Sequence, residues 1–324
     1  MATDNGTFKK RGLSLLTHLG SIFGDVWFVD YRNGSDSNDG KSPDKAFKTL
    51  SQAYSSATSN NNDAIFIDGD SAVVETSMIT WSKNRIHVFG CNGPAPIMGR
   101  GAGARVSIGV TTNTADIALL KVTGVRNSFT GIKFDSGNSL TEAVYCVADG
   151  GEYTRWHNCE FYKSTHLTTA LAAEVLCNGD SSEFYRCTFG DLVNARGGSS
   201  KPRANVLVSR EQITGKVARD VYFEQCRFLQ KALHGDTNFV YGAGATDVER
   251  SMNFVNCIFE NAILATATIA DGITFGGAQT EGNVLLVNPT GVNVTAFAEA
   301  NHNVFVQGAV PTAATTGIAV EVAA

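Results

Sequence analysis

The side chains able to do chemistry in this 324-residue chain are seven cysteines, six histidines and a scatter of carboxylates and arginines. Glycoside hydrolysis needs two carboxyl groups about 5–9.5 Å apart, and a calcium-assisted elimination needs clustered acids beside a basic residue. Asp135, Asp149, Glu160, Asp180, Asp191, Glu224 and Glu260 do not recur at one position of any repeat. Asp149-Gly-Gly-Glu152 and the pair Asp180 and Glu183 are the best candidates to meet across neighbouring segments, although Asp and Gly read first as turn formers. His18, His87, His157, His166, His234 and His302 form no HxH or HExxH pair, and no two cysteines make a CxxC. The expectation is therefore no catalytic residue, no metal and no cofactor. Arg155, Arg186 and Arg227, with Lys133, sit where a sugar or phosphate groove could use them, or where a charged face would discourage aggregation. Trp27, Trp81 and Trp156 are too few for a sugar-stacking track.

The elements that carry these residues are set by an internal repeat. Five segments read aromatic, two residues, Cys or Ile, one residue, Phe: Phe129–Phe134, Trp156–Phe161, Phe184–Phe189, Phe223–Phe228 and Phe254–Phe259. Their central residues Ile132, Cys159, Cys187, Cys226 and Cys257 lie 27, 28, 39 and 31 positions apart, as loop insertions into a repeat would give. A weaker line follows them through Cys146, Cys177, Ser209, Tyr241 and Phe275. Short β-rich segments at this period, without intervening helices, predict a solenoid. The fold class expected is all-β, a right-handed parallel β-helix of about eight to nine coils with an N-terminal capping α-helix. Stacking at ~4.8 Å per coil would make a rod roughly 40 Å long. Cys159, Cys187, Cys226 and Cys257 with Phe161, Phe189, Phe228 and Phe259 would then form inward core ladders, the thiols packing as small hydrophobes. Glu160, Thr188 and Arg227 would point outward.

Composition agrees. Hydrophobic residues make up 43% of the chain and charged ones only 18%, which excludes a disordered chain. A net charge of −5 argues against nucleic acid as a partner. No run reaches the ~18 apolar residues of a membrane span, and the N-terminus lacks the continuous apolar core of a signal peptide. Residues 1–24 read as a docking arm carrying Lys9, Lys10, Arg11, Leu15, Leu16, Leu19, Ile22 and Phe23. Residues 25–62 read as a cap of strand, loop and helix 43–58, with Ser42 as N-cap, Pro43 in the first turn and Ala46, Phe47, Leu50, Ala53, Tyr54 and Ala57 on one face. The coil is expected over 63–310 and an apolar tail over 311–324.

The run WFVDYRNGSDSNDGKSPDKAFKTLSQAYSSATSNNNDAIFIDGD resembles the opening of pectate-lyase-like right-handed parallel β-helix proteins, most strongly those of tailed bacteriophages. The resemblance is specific over residues 26–70 and generic to about 260. Many phage members carry a PGHxET-like stretch after the second strand; here Glu75-Thr76 is kept and the His is missing. Polygalacturonase-like signatures (NTD, adjacent Asp-Asp, Gly-His-Gly) are absent. The resemblance implies a non-enzymatic virion structural protein, a capsid decoration or small appendage. Its implied partners are copies of itself in a homotrimer, and capsid or tail proteins. The competing expectation is a tail receptor-binding protein or polysaccharide depolymerase acting on host surface glycan. A non-viral adhesin or lyase stands third.

Overall fold

The computed structural model describes residues 24–69, 72–91, 104–108, 117–136, 144–162, 172–193, 204–210, 213, 215–242, 244–262, 268–275, 281–298 and 303–307. The docking-arm residues Lys9 to Phe23 and the tail 311–324 lie outside them. The chain is a right-handed parallel β-helix with three sheets. Among the described residues sheet A has ten strands and sheets B and C have eight each, so eight complete coils are closed, with one further sheet A strand before and one after them. Each coil runs from C to A to B, as in Tyr145–Asp149, Arg155–His157 and Glu160–Tyr162.

Two columns of left-handed residues make the coil turn. Between sheets A and B they are Gly131, Asn158, Arg186, Gln225, Asn256 and Asn288, with φ from 48° to 69°. One residue of positive φ redirects the chain, and its N–H joins the next coil, as Asn158 does to the Tyr185 carbonyl at 2.9 Å. Gly and Asn accept this conformation readily; Arg186 and Gln225 bear a cost of about 1–2 kcal/mol each. Between sheets C and A the same role falls to Arg85, Arg126, Tyr153, Ser181 and Asp220.

Inside, like residues stack on like. Phe129, Trp156, Phe184, Phe223 and Phe254 descend sheet A with ring centroids 4.3–6.0 Å apart. Phe134, Phe161, Phe189, Phe228 and Phe259 descend sheet B at 4.8–5.8 Å. Rings stack within a column and meet edge-on or tilted between columns, the arrangements an aromatic quadrupole favours. Each fully buried ring contributes about 1.5–3 kcal/mol. The expected thiol ladder lies at the corner between them: Cys159, Cys187, Cys226 and Cys257 are free and buried. Each S–H donates to an aromatic residue's carbonyl one coil earlier, Cys187 to Trp156 at 3.1 Å and Cys226 to Phe184 at 3.3 Å. Burial pushes the Cys187 and Cys257 thiols well above their ordinary range, as expected of thiols that pack as small hydrophobes. The weaker line differs from expectation. Sheet C pairs Asp149, and not Cys146, with Cys177, because Val147 and Val175 take the shared inward position.

The cap departs from the expected single helix 43–58. Pro43–Lys45 is one 3₁₀ turn and α1 spans only Leu50–Ser56. Between them the chain is captured by a strand: the Phe47 N–H donates to the Phe28 carbonyl and the Asp30 N–H to the Phe47 carbonyl, both at 2.8 Å. Helical propensity cannot use backbone groups already spent. Thr49, not Ser42, caps α1, its hydroxyl accepting from the Gln52 N–H at 3.2 Å. Of the six apolar residues expected on one helical face, Ala46, Phe47, Leu50, Ala53 and Ala57 are buried and Tyr54 is half-buried against the core, although Ala46 and Phe47 lie outside α1. The acidic loop is equally committed. Asp36 accepts from the N–H groups of Lys48 and Thr49, Asp30 from those of Arg32 and Asn33, and buried Asp63 from Asp25, Thr58, Asn61 and the Trp27 indole. Gly34 is required because a Cβ there would lie 2.4 Å from the Asp30 and Phe47 carbonyl oxygens.

Glu75 ties this cap to the first coil. Its carboxylate accepts from the Leu50 N–H at 2.7 Å and the Ser51 hydroxyl at 2.6 Å, at the start of α1. At the other end, the Lys83 ammonium donates to the carbonyls of Tyr54, Ser55 and Ala57 at 2.7–2.8 Å. Burial raises the Glu75 pKa above 4.5, against the lowering effect of its hydrogen bonds to Ser51 and Leu50.

Two expected outcomes follow from this packing. Cys187→Asp places a charge between two aromatic columns and abolishes the cooperative far-ultraviolet melt; a folded, wild-type-like variant would put Cys187 outside. Because folded Glu75 holds its proton more tightly than the unfolded chain does, stability falls as pH rises from 4.5 through the folded value. Denaturant titrations should show wild type losing stability relative to Glu75→Gln over that window. Glu75→Ala, which orphans the Leu50 N–H, should cost about 1–3 kcal/mol. A wild-type-to-Gln difference that is flat with pH would contradict this account.

Candidate functional site

The carboxylates singled out in the sequence, Glu224 excepted, have structural partners. Asp149 is fully buried and accepts from the Gly151 N–H at 3.1 Å and the Trp156 indole at 3.0 Å; burial raises its pKa. It holds the corner between sheets C and A. Glu152 and Asp180 do meet across neighbouring coils, paired in parallel. Each is taken by a cation: Glu152 by Lys216 at 3.0 Å, Asp180 by Arg219 at 3.2 Å. Glu183 faces Arg155 at 3.6 Å and His157 at 3.3 Å. Asp135 pairs with Arg105, Glu160 with Lys133 and Glu260 with Arg227. Asp191 accepts from the Val193 N–H, and Glu224 lies beside Tyr185 on sheet A. These are neighbours along the rod, so opposite charges stack as side chains do across strands. Each exposed pair contributes little to stability.

The arginines divide. Arg227 lies on sheet B with Glu260, and Lys133 between Glu160 and the ring of Tyr162. Arg186 donates to the Gln225 side chain at the A–B corner. Arg155 alone of this set enters a groove on the outer face of sheet A, with a volume of about 650 Å³. Its walls include Arg85, His87, Arg126, Tyr153, Arg155 and His157, and none of its lining residues is acidic. The sheet register explains the assembly. His87, Ser128 and Arg155 are successive cross-strand partners, as are Phe89, Thr130 and His157. Arg85, Arg126 and Tyr153 are the left-handed corner residues of three successive coils.

Within the groove, His87 Nδ1 shares a hydrogen bond with the Ser128 hydroxyl at 2.8 Å. Burial, and then the charge of Arg155, push the His87 pKa below its ordinary value. The Arg126 guanidinium lies 5.6 Å from the centre of the Tyr153 ring, which is 51% exposed. The arrangement presents cations, hydroxyls and one open aromatic face, which suits recognition of an anionic ligand. Sequence reading missed Arg85, Arg126 and Tyr153. The available signal was position: each precedes a sheet A strand by one corner, but the residue types differ and no repeat exposes them.

No family model matches the chain, and no curated protein matches it. Solved structures match its fold. The crystal structure of pectate lyase Pel9A is 15% identical with a TM-score of 0.59, over 90% of this chain and 70% of that one. A pectin methylesterase from Aspergillus niger is 11% identical with a TM-score of 0.57, over 92% and 88%. ORF18 of Geobacillus virus E2 is 12% identical with a TM-score of 0.52; the match covers 91% of this chain and 53% of that one. At these identities the likeness is one of fold, and this chain shares the pectate-lyase-like parallel β-helix with structural neighbours that include a viral protein.

Proposed function

We propose that this chain is a non-enzymatic structural protein of a bacteriophage particle, a capsid decoration or small appendage that presents a rigid β-helix. The observation that carries the non-enzymatic reading is the commitment of its carboxylates. In the cap, Asp30, Asp36, Asp63 and Glu75 hold backbone N–H groups. On the coil, Glu152, Asp180, Glu183 and Glu260 are neutralised by neighbouring cations. A carboxylate pinned in an ion pair is poorly placed to cycle between acid and base. The phage assignment is supported by the resemblance of residues 26–70 and by the viral structural neighbour. Residues 1–24, with Lys9, Lys10 and Arg11 ahead of apolar Leu15, Leu16, Leu19, Ile22 and Phe23, serve as the docking arm to a capsid or tail partner, and the assembly is a homotrimer on the virion.

A tail receptor-binding protein or polysaccharide depolymerase is the second reading, and one feature favours it: the arginine-lined groove on sheet A. That groove is suited to holding a host glycan and offers no carboxylate to cleave it.

The test joins attachment with turnover. Deleting residues 1–24 should leave the coil folded and abolish recovery of the protein with purified particles. Incubation with polygalacturonate or host surface polysaccharide should release no reducing ends. Retained attachment would overturn the docking arm, and accumulating reducing ends would overturn the non-enzymatic reading.

A further inference from the structure

Along most of this rod, charge is balanced locally. Arg219 lies between Asp180 and Glu249, and Arg250 reaches Asp220 at 2.6 Å and Asp180 at 3.7 Å. The groove on sheet A breaks the pattern. Arg85 and Arg126 hold the same left-handed corner in successive coils, the Arg85 N–H donating to the Val125 carbonyl at 3.0 Å. Their Cα atoms are thus about 4.8 Å apart, one coil. Among the described residues, neither has a carboxylate within ion-pair distance: Glu152, whose carbonyl accepts the Arg126 N–H, pairs with Lys216, and Glu183 is shared by Arg155 and His157. Two adjacent guanidinium groups without an ion-pair partner leave a local excess of positive charge on a protein of net charge −5, which an anionic ligand would balance.

We propose that this groove is a recognition site for a phosphomonoester, with Arg85 and Arg126 as its counter-ions and Tyr153 as the surface against which the rest of the ligand packs. The match is one of charge and donor count. A phosphomonoester carries close to two negative charges at neutral pH and three acceptor oxygens. One such group neutralises both arginines, whereas a single carboxylate leaves one unpaired. Guanidinium forks bind phosphate oxygens bidentately. The Thr130 and Ser128 hydroxyls line the groove as donors, and the His87 imidazole, bonded to Ser128 at 2.8 Å, adds a further hydrogen-bonding group. Tyr153, half exposed and already under the Arg126 guanidinium, offers the ring face on which a sugar or other organic portion can lie. The site does not depend on whether the protein belongs to a virion, so its failure and the failure of that assignment are separable.

Arg85→Asn and Arg126→Asn test it without breaking the coil, because both residues sit at positive φ, 55° and 58°, where Asn is tolerated. Calorimetric titration of the full chain with inorganic phosphate and with glucose 6-phosphate should saturate at one equivalent, the sugar phosphate binding more tightly. Each variant should weaken binding about tenfold or more, while Arg186→Asn, outside the groove, should leave it unchanged. Tyr153→Asn should remove the advantage of the sugar phosphate and leave inorganic phosphate unaffected. Non-saturating phosphate binding, or saturation indifferent to Arg85 and Arg126, would overturn the site. Arginine-dependent binding of polygalacturonate with none of phosphate would overturn its assignment to phosphomonoesters.

Discussion

Parallel stacking at one strand spacing governs this molecule. When each coil lies directly on the last, every residue is forced into a column with its equivalents above and below. A column facing inward must be apolar in every coil or pay for a buried polar group repeatedly. The aromatic columns of Phe129 to Phe254 and Phe134 to Phe259 satisfy that demand, and the thiols of Cys159 to Cys257 fill the narrow corner between them. The same rule acts outside. Charges placed in adjacent coils meet whether or not they are complementary, so the exposed faces become ladders of alternating sign, as from Asp180 through Arg219 to Glu249.

A coil built this way has an end problem, because its first strand would leave an open edge and an exposed core. The N-terminal segment solves it with carboxylates aimed at backbone N–H groups and a short helix laid over the interior. Glu75 shows how thoroughly sequence motifs can be structural. The Glu75-Thr76 pair resembles part of a family motif, and here the Glu75 oxygens hold the first turn of α1. The acids of the GSDSNDG loop behave alike, and their density reflects the number of backbone donors a tight loop must satisfy.

The parts that repeat were legible in the sequence. Aromatic-x-x-Cys-x-Phe, recurring with tolerant spacing, specified the coil, the columns and the inward direction of the thiols before any coordinates. What stayed hidden was set by single events. The helix expected from Pro43 to Thr58 is interrupted because strand Val26–Val29 takes the backbone groups of Phe47, a long-range bond that local periodicity does not record. Cys146 and Cys177 looked equivalent by their flanking residues, yet the sheet register shifts them by three positions. The groove was the least visible of all. Arg85, Arg126 and Tyr153 share a backbone conformation but lie outside the repeating aromatic-x-x-Cys-x-Phe pattern, so they align only once the corners are stacked.

The central claim is that equivalent residues of successive coils form continuous inward columns. A sulfur anomalous difference map from a crystal of this protein tests it directly. The account predicts four peaks from Cys159, Cys187, Cys226 and Cys257 in one line, spaced by about 4.8 Å, with no disulfide density between them. Peaks dispersed around the molecule, or joined in covalent pairs, would contradict the stacking on which the fold, the cap and the groove all depend.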